Sequence, residues 1–210
     1  MPAEEGWLLD KFSLFFAFYS LILGLAVTEV LRGFGQFLRA HSLHKLGAQT
    51  VLLAIYTFIA ITATWIDAFI ALRSVDLNVE SLGAPILTST AYYLAAVIVF
   101  PSRSADLEHL DEYFLEHKKL VVALLLAAEL LVNFTFLPLM IQGYREGRPA
   151  FFYFYLPFHV VQKVAYAGAY LAKSKRSNII WLAVLNFLLL FNYWDNGAIP
   201  QFIDRTYSPL

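Results

Sequence analysis

Six stretches of this chain are apolar over about the length of a membrane crossing: residues 12–31, 48–72, 82–100, 120–141, 151–172 and 179–194. A helix rising about 1.5 Å per residue needs roughly 20 apolar residues to cross the ~30 Å hydrocarbon core of a bilayer. In lipid a spanning segment must satisfy its own backbone polar groups, and runs this continuous lack the apolar–polar alternation of barrel strands. The sequence therefore predicts an all-α integral membrane protein, a bundle of six transmembrane helices forming a single domain over residues 1–210. Composition points the same way. Only 15% of residues are charged and 60% are hydrophobic, with a mean hydropathy of +0.62, whereas a soluble domain carries about 25% charged residues.

The same numbers exclude several classes. A net charge of −1 offers no basic field for nucleic acid, so the expected partner is the lipid bilayer. The chain has no cysteine, hence no disulfide, thiolate metal site or cysteine nucleophile. The N-terminal MPAEEGWLLDK is acidic and lacks the positive region of a cleavable signal, so the first run is expected to stay as a span.

Loop charges predict the orientation. Arg32, Arg39, Lys45, Arg103, Lys118, Lys119, Lys173, Lys175 and Arg176 follow the odd runs, against Lys11, Arg73, Arg145, Arg148 and Arg205 on the other side. That excess places both termini on the outer side of an inner or plasma membrane. Trp7, the FFYFY at 151–155 and Tyr193–Trp194 then fall at the outer interface, as belt aromatics do. Between runs 3 and 4, Leu107, Leu110 and Phe114 share one face of an acidic amphipathic helix over about 104–118. It is expected either to dock a partner, as a homo-oligomer or a membrane complex, or to pack on the domain's own loops.

The candidate functional residues are the polar groups inside the runs. Asp67, Glu129, His159 and Lys163 are each costly in hydrocarbon unless paired, neutralised or hydrated. Glu129 and Lys163 lie at matching depths on adjacent runs and form the best candidate ion pair, with Asn133 one turn from Glu129 and Asn186 at similar depth. Tyr155, His159, Gln162, Lys163, Tyr166 and Tyr170 make one polar stripe along run 5. Asp67 faces His159 in depth, so these groups outline a ladder through the membrane. The first run carries a stripe of small residues, Ser13, Ala17, Ser20, Gly24 and Thr28, that would permit close helix approach.

Two readings of the ladder stand side by side. It is a pathway or site for protons, ions or a small polar solute, or a satisfied network that fixes which helices pack, as in an accessory or assembly subunit. A lipid-modifying enzyme inside the membrane is a third, because lysine, histidine and carboxylates serve acid–base chemistry. No cofactor or metal is expected. His41 and His44 have the spacing of a ligand pair but no carboxylate motif beside them, and zinc- and serine-hydrolase motifs are missing.

Overall fold

The computed structural model describes residues 2–40, 47–71, 79–102, 110–195 and 198–207. Among these every regular element is a helix: α1 Pro2–Ala40, α2 Ala48–Ala71, α3 Val79–Val99, α4 Leu110–Thr135, α5 Leu137–Arg145, a π-helical turn Phe151–Tyr155, α6 Leu156–Leu171, α7 Lys175–Asp195 and α8 Ala198–Tyr207. Among the described residues four segments are long and apolar enough to cross a membrane: Phe12–Gln36, Ala48–Phe69, Leu82–Val99 and Lys175–Asp195. They correspond to runs 1, 2, 3 and 6.

Runs 4 and 5 are not among those four, and the reasons are local. Run 4 covers the later part of α4 and the start of α5; the first turns of α4 carry Asp111, Glu112, Glu116, Lys118 and Lys119, and α4 ends at Thr135, ahead of a proline in the first turn of α5. Proline lacks the N–H an uninterrupted helix needs and disfavours helical geometry in the residue before it. Run 5 opens with the π turn, leaving 16 residues in α6, about 24 Å at the helical rise. The expected helix over 104–118 is, from Leu110 on, the beginning of α4 itself; residues 104–109 lie outside the described residues.

The chain divides into two compact units, Met1–Val132 and Asn133–Leu210, each described by itself. In the first, α1 buries Phe12, Phe15, Tyr19, Leu23, Ala26 and Val30, successive positions of one helical face. The small-residue stripe expected there lies on another face: Ser13, Ala17, Gly24 and Thr28 are exposed and Ser20 half-buried. Rings and branched chains gain more dispersion contact on packing than glycine or serine do. Alanines on the facing helices, Ala54, Ala60, Ala91, Ala95 and Ala96, are buried and let the backbones come close.

Specific contacts fix the two ends of this unit. At one, Gly33 lies directly against the Phe100 ring, leaving no room for a Cβ. Nearby, the Gln49 amide donates to Asp111 Oδ1 at 3.0 Å. The Tyr113 hydroxyl donates to the Ile98 carbonyl at 2.7 Å, satisfying an acceptor that the end of α3 would otherwise orphan. At the other end, Phe16 meets Phe69 edge-on at 5.3 Å and stacks near Trp65 at 6.0 Å.

In the second unit Gly168 lies against the Trp181 ring, so α6 and α7 pack at close range. Their buried faces are mixed: Gln162, Ala165, Tyr166 and Ala169 from α6, and Asn178, Leu182, Leu185, Asn186 and Leu189 from α7. Carboxylates hold the helix starts. Asp204 Oδ1 accepts the Ala150 N–H at 2.8 Å, and Asp195 Oδ1 accepts the Ile199 N–H at 2.9 Å. Both satisfy donors at helix N-termini that have no partner within their helix.

Candidate functional site

The candidate residues divide between the units. Asp67 and Glu129 lie in the first; Asn133, His159, Gln162, Lys163, Tyr166 and Asn186 lie in the second. The expected Glu129–Lys163 pair thus joins residues of different units, and each set is built up within its own.

In the first unit the carboxylates meet a group of tyrosines. Tyr19 on α1, Tyr56 on α2 and Tyr92 on α3 are among the largest fully buried side chains, 2%, 1% and 2% exposed. The Thr64 hydroxyl donates to the Tyr92 hydroxyl at 3.1 Å. The charge of Asp67 acts on Tyr19, and that of Glu129 acts on Tyr92, together with the neighbouring hydroxyls of Tyr56 and Tyr19. Four helices contribute: Tyr19 from α1, Tyr56, Thr64 and Asp67 from α2, Tyr92 from α3, and Glu129 from α4. Thr57, Thr88 and Ser89 are buried as well; Thr57 and Ser89 return their protons to their own helices, at the Leu53 and Ile86 carbonyls.

The local sequence explains why these hydroxyls converge. Tyr19 belongs to the buried face of α1 described above. Thr57 and Thr64 are seven apart on α2, two helical turns, with Asp67 one turn further on. On the outer side of the same contact the Trp65 indole N–H donates to Ser20 Oγ at 2.8 Å. Trp65 follows Thr64 and Ser20 follows Tyr19, so this bond sets the register of α1 against α2 where the cluster is built.

Sequence reasoning finds the carboxylates and, among the polar residues of run 3, Tyr92, but passes over Tyr19 and Tyr56. Asp67 and Glu129 stand out because charge in hydrocarbon is rare, whereas an isolated tyrosine in an apolar run carries no charge to mark it. The available signal was spacing. Tyr19 falls in register with Phe12, Phe15, Leu23, Ala26 and Val30, which marks it as a core position.

In the second unit the stripe on α6 is buried at its centre and open at its ends. Gln162 and Tyr166 are buried, His159 and Lys163 are half-buried, and Tyr155 and Tyr170 are exposed. Lys163 Nζ donates to Gln162 Oε1 at 3.0 Å. Asn186 is buried and donates to the Leu182 carbonyl at 2.8 Å, a bond back into its own helix. Asn133 is half-buried near the end of α4.

Among the described residues no three histidine, aspartate or glutamate side chains converge as metal ligands would; His41 and His44 lie outside the described residues. What both sites offer is hydroxyl, amide, amine and carboxylate chemistry, suited to hydrogen bonding and proton exchange. No known family model, curated protein or solved structure matches this chain.

Proposed function

We propose that this chain is a multi-pass protein of an inner or plasma membrane, with six spans and both termini outside, that moves protons through the tyrosine–carboxylate cluster. The four apolar helices and the loop-charge bias support the membrane placement. The observation that carries the proton reading is the Thr64–Tyr92 hydroxyl pair, 3.1 Å long, in a cluster under the charge of Asp67 and Glu129.

A hydroxyl both donates and accepts, so a hydroxyl–hydroxyl bond can pass a proton and reset by rotation. Carboxylates bind and release protons. In this reading Asp67 and Glu129 exchange protons with the surroundings, and Tyr19, Thr64 and Tyr92 carry them between. Protons fit better than an ion or a polar solute because a solute needs a hydrated lumen, and Tyr19, Tyr56 and Tyr92 are almost wholly packed in.

The test is proton flux into vesicles containing the purified protein and a trapped pH-sensitive dye. Wild type should relax an imposed pH gradient well above protein-free vesicles. Tyr92→Phe should slow it by about a hundredfold or more, the lower end of what a positioned proton-transfer group contributes. No flux in wild type, or flux indifferent to a folded Tyr92→Phe, points instead to an accessory subunit whose network only fixes helix packing.

A further inference from the structure

A buried donor of the second unit has no acceptor. Gln162 on α6 is 5% exposed, and its side-chain oxygen accepts from Lys163 Nζ at 3.0 Å. That contact orients the amide, because the oxygen must face the ammonium and the N–H2 must turn from it. Among the described residues the amide nitrogen of Gln162 makes no hydrogen bond. Folded chains seldom bury a donor with nothing to accept from it, and such a group asks for a ligand or a function.

The groups around this donor form one patch. Phe158 and Gln162, and His159 and Lys163, are one helical turn apart on α6, so all four are neighbours on its surface. Phe158, His159 and Lys163 are half-buried. The Phe158 ring lies edge-on to His159 at 5.9 Å and stacks with Phe154 at 6.0 Å. Val160 and Val164, which border Lys163 on the same helix, are each 54% exposed. The patch follows directly on the π turn, where the Leu156 N–H reaches back to the Phe151 carbonyl. Such a turn re-aims the side chains after it and is frequent at functional sites.

The chemistry left over defines the ligand. Gln162 Oε1 is spent on Lys163, so the amide has only N–H to offer, and an ammonium keeps further N–H groups after serving that oxygen. The ligand must therefore present an acceptor oxygen. With α6 inside a span, it reaches the patch through hydrocarbon past the exposed valines, so the rest of it is apolar. The Phe158 ring favours a flat partner that can stack. A lipid-soluble quinone meets all three demands, with carbonyl oxygens on a flat ring and an apolar tail. A fatty acid has the oxygens but not the ring.

We propose that this patch of α6 binds a lipid-soluble quinone. One carbonyl accepts from the Gln162 amide and from Lys163, and the ring lies against Phe158. The site rests on the placement of α6 in the membrane and not on the proton path, none of whose residues takes part.

The experiment titrates the full chain in lipid nanodiscs with decylubiquinone and reads the quenching of tryptophan fluorescence. Trp181 lies against Gly168 on the same pair of helices, roughly 8 Å along α6 from Lys163. Wild type should show a saturable component above the linear background. Gln162→Glu keeps an oxygen for Lys163 but, ionised, has no N–H to give. It should retain the helical circular dichroism of wild type and weaken binding by about tenfold, the scale of one hydrogen bond. Gln162→Met, which lacks both polar groups, should weaken it as much, and decanoate at equal concentration should not displace the quinone. Purely linear quenching in wild type, an affinity unchanged in either folded variant, or displacement by decanoate would each overturn the proposal. None of these outcomes bears on the flux expected of Tyr92→Phe, so the two readings fail separately.

Discussion

The Thr64 hydroxyl donates to the Tyr92 hydroxyl at 3.1 Å, and both side chains are buried, 6% and 2% exposed. This is the one hydroxyl–hydroxyl bond between α2 and α3 at the centre of the cluster among the interactions described above. Replacing Thr64 with valine keeps the shape and removes the donor. Leaving a buried acceptor without its partner costs about 1–3 kcal/mol, so Thr64→Val should lower unfolding stability by that amount in mild detergent. Thr64→Ser, which keeps the hydroxyl, should recover most of it. If the cluster carries protons, Thr64→Val should also slow vesicle proton flux by more than its stability loss explains.

Glycines separate into those that must be glycine and those that need not. Gly33 lies against Phe100 and Gly168 against Trp181, so an added methyl would force an aromatic ring away. Overpacking of this kind costs about 1–3 kcal/mol, and Gly33→Ala and Gly168→Ala should each lower thermal stability accordingly. Gly24 is the counter-case: it sits inside α1 with nothing within 4 Å of the Cβ position. Alanine there should stabilise by up to about 1 kcal/mol through helix propensity. Thermal unfolding of the three variants, read by circular dichroism, checks both signs.

How far the sequence could be read follows the same division between pattern and placement. Long apolar runs are a one-dimensional signal, and runs 1, 2, 3 and 6 reappear as helices able to cross a membrane. Helix breaks are a finer signal that length alone hides. The π turn at Phe151–Tyr155 and the stop at Thr135 both lie within runs that read as continuous. The small-residue stripe on α1 failed for a different reason. Ser13, Ala17, Gly24 and Thr28 have helical spacing, but so do Phe12, Phe15, Tyr19 and Leu23, and only the folded chain shows which face is covered. Pairings between helices lay furthest from view: nothing in the sequence joins Asp111 to Gln49 or Thr64 to Tyr92.

The contact between Asp111 and Gln49 makes a prediction about α2. Asp111 Oδ1 accepts the Gln49 amide at 3.0 Å and would touch a Cβ at Gly47, also at 3.0 Å. A carboxylate of α4 thus sits at the first turn of α2, where its charge offsets the positive end of the helix dipole. A Cβ at Gly47 would press on that carboxylate, which would have to give slightly. Asp111→Ala should cost about 1.5–3 kcal/mol, the usual range for losing a hydrogen bond to a charged group. Asp111→Asn should cost less, because the amide oxygen can still accept from Gln49 while the charge is lost. Hydrogen exchange should localise the effect to the first turn of α2.

Lys118 gives the molecule a pH dependence of definite sign. Its side chain is buried, 3% exposed, beside Phe114 on α4. Burial pulls its pKa below the ordinary lysine value of 10.5, and the charge of Lys119 pulls it in the same direction. The folded chain therefore releases this proton at a lower pH than the unfolded chain does. Between the lowered folded value and 10.5 the unfolded state binds more protons, so stability must rise with pH in that window. Below the window both states are protonated, and the folded state bears the cost of a buried ammonium at constant size. Unfolding of the detergent-solubilised protein, followed from neutral to alkaline pH, should show this upward trend in wild type against the general alkaline loss. Lys118→Met keeps a long side chain and removes the titrating group, so its stability should lack the rise. A wild-type profile that falls in parallel with Lys118→Met across the whole range would show that Lys118 keeps its ordinary pKa in the folded chain.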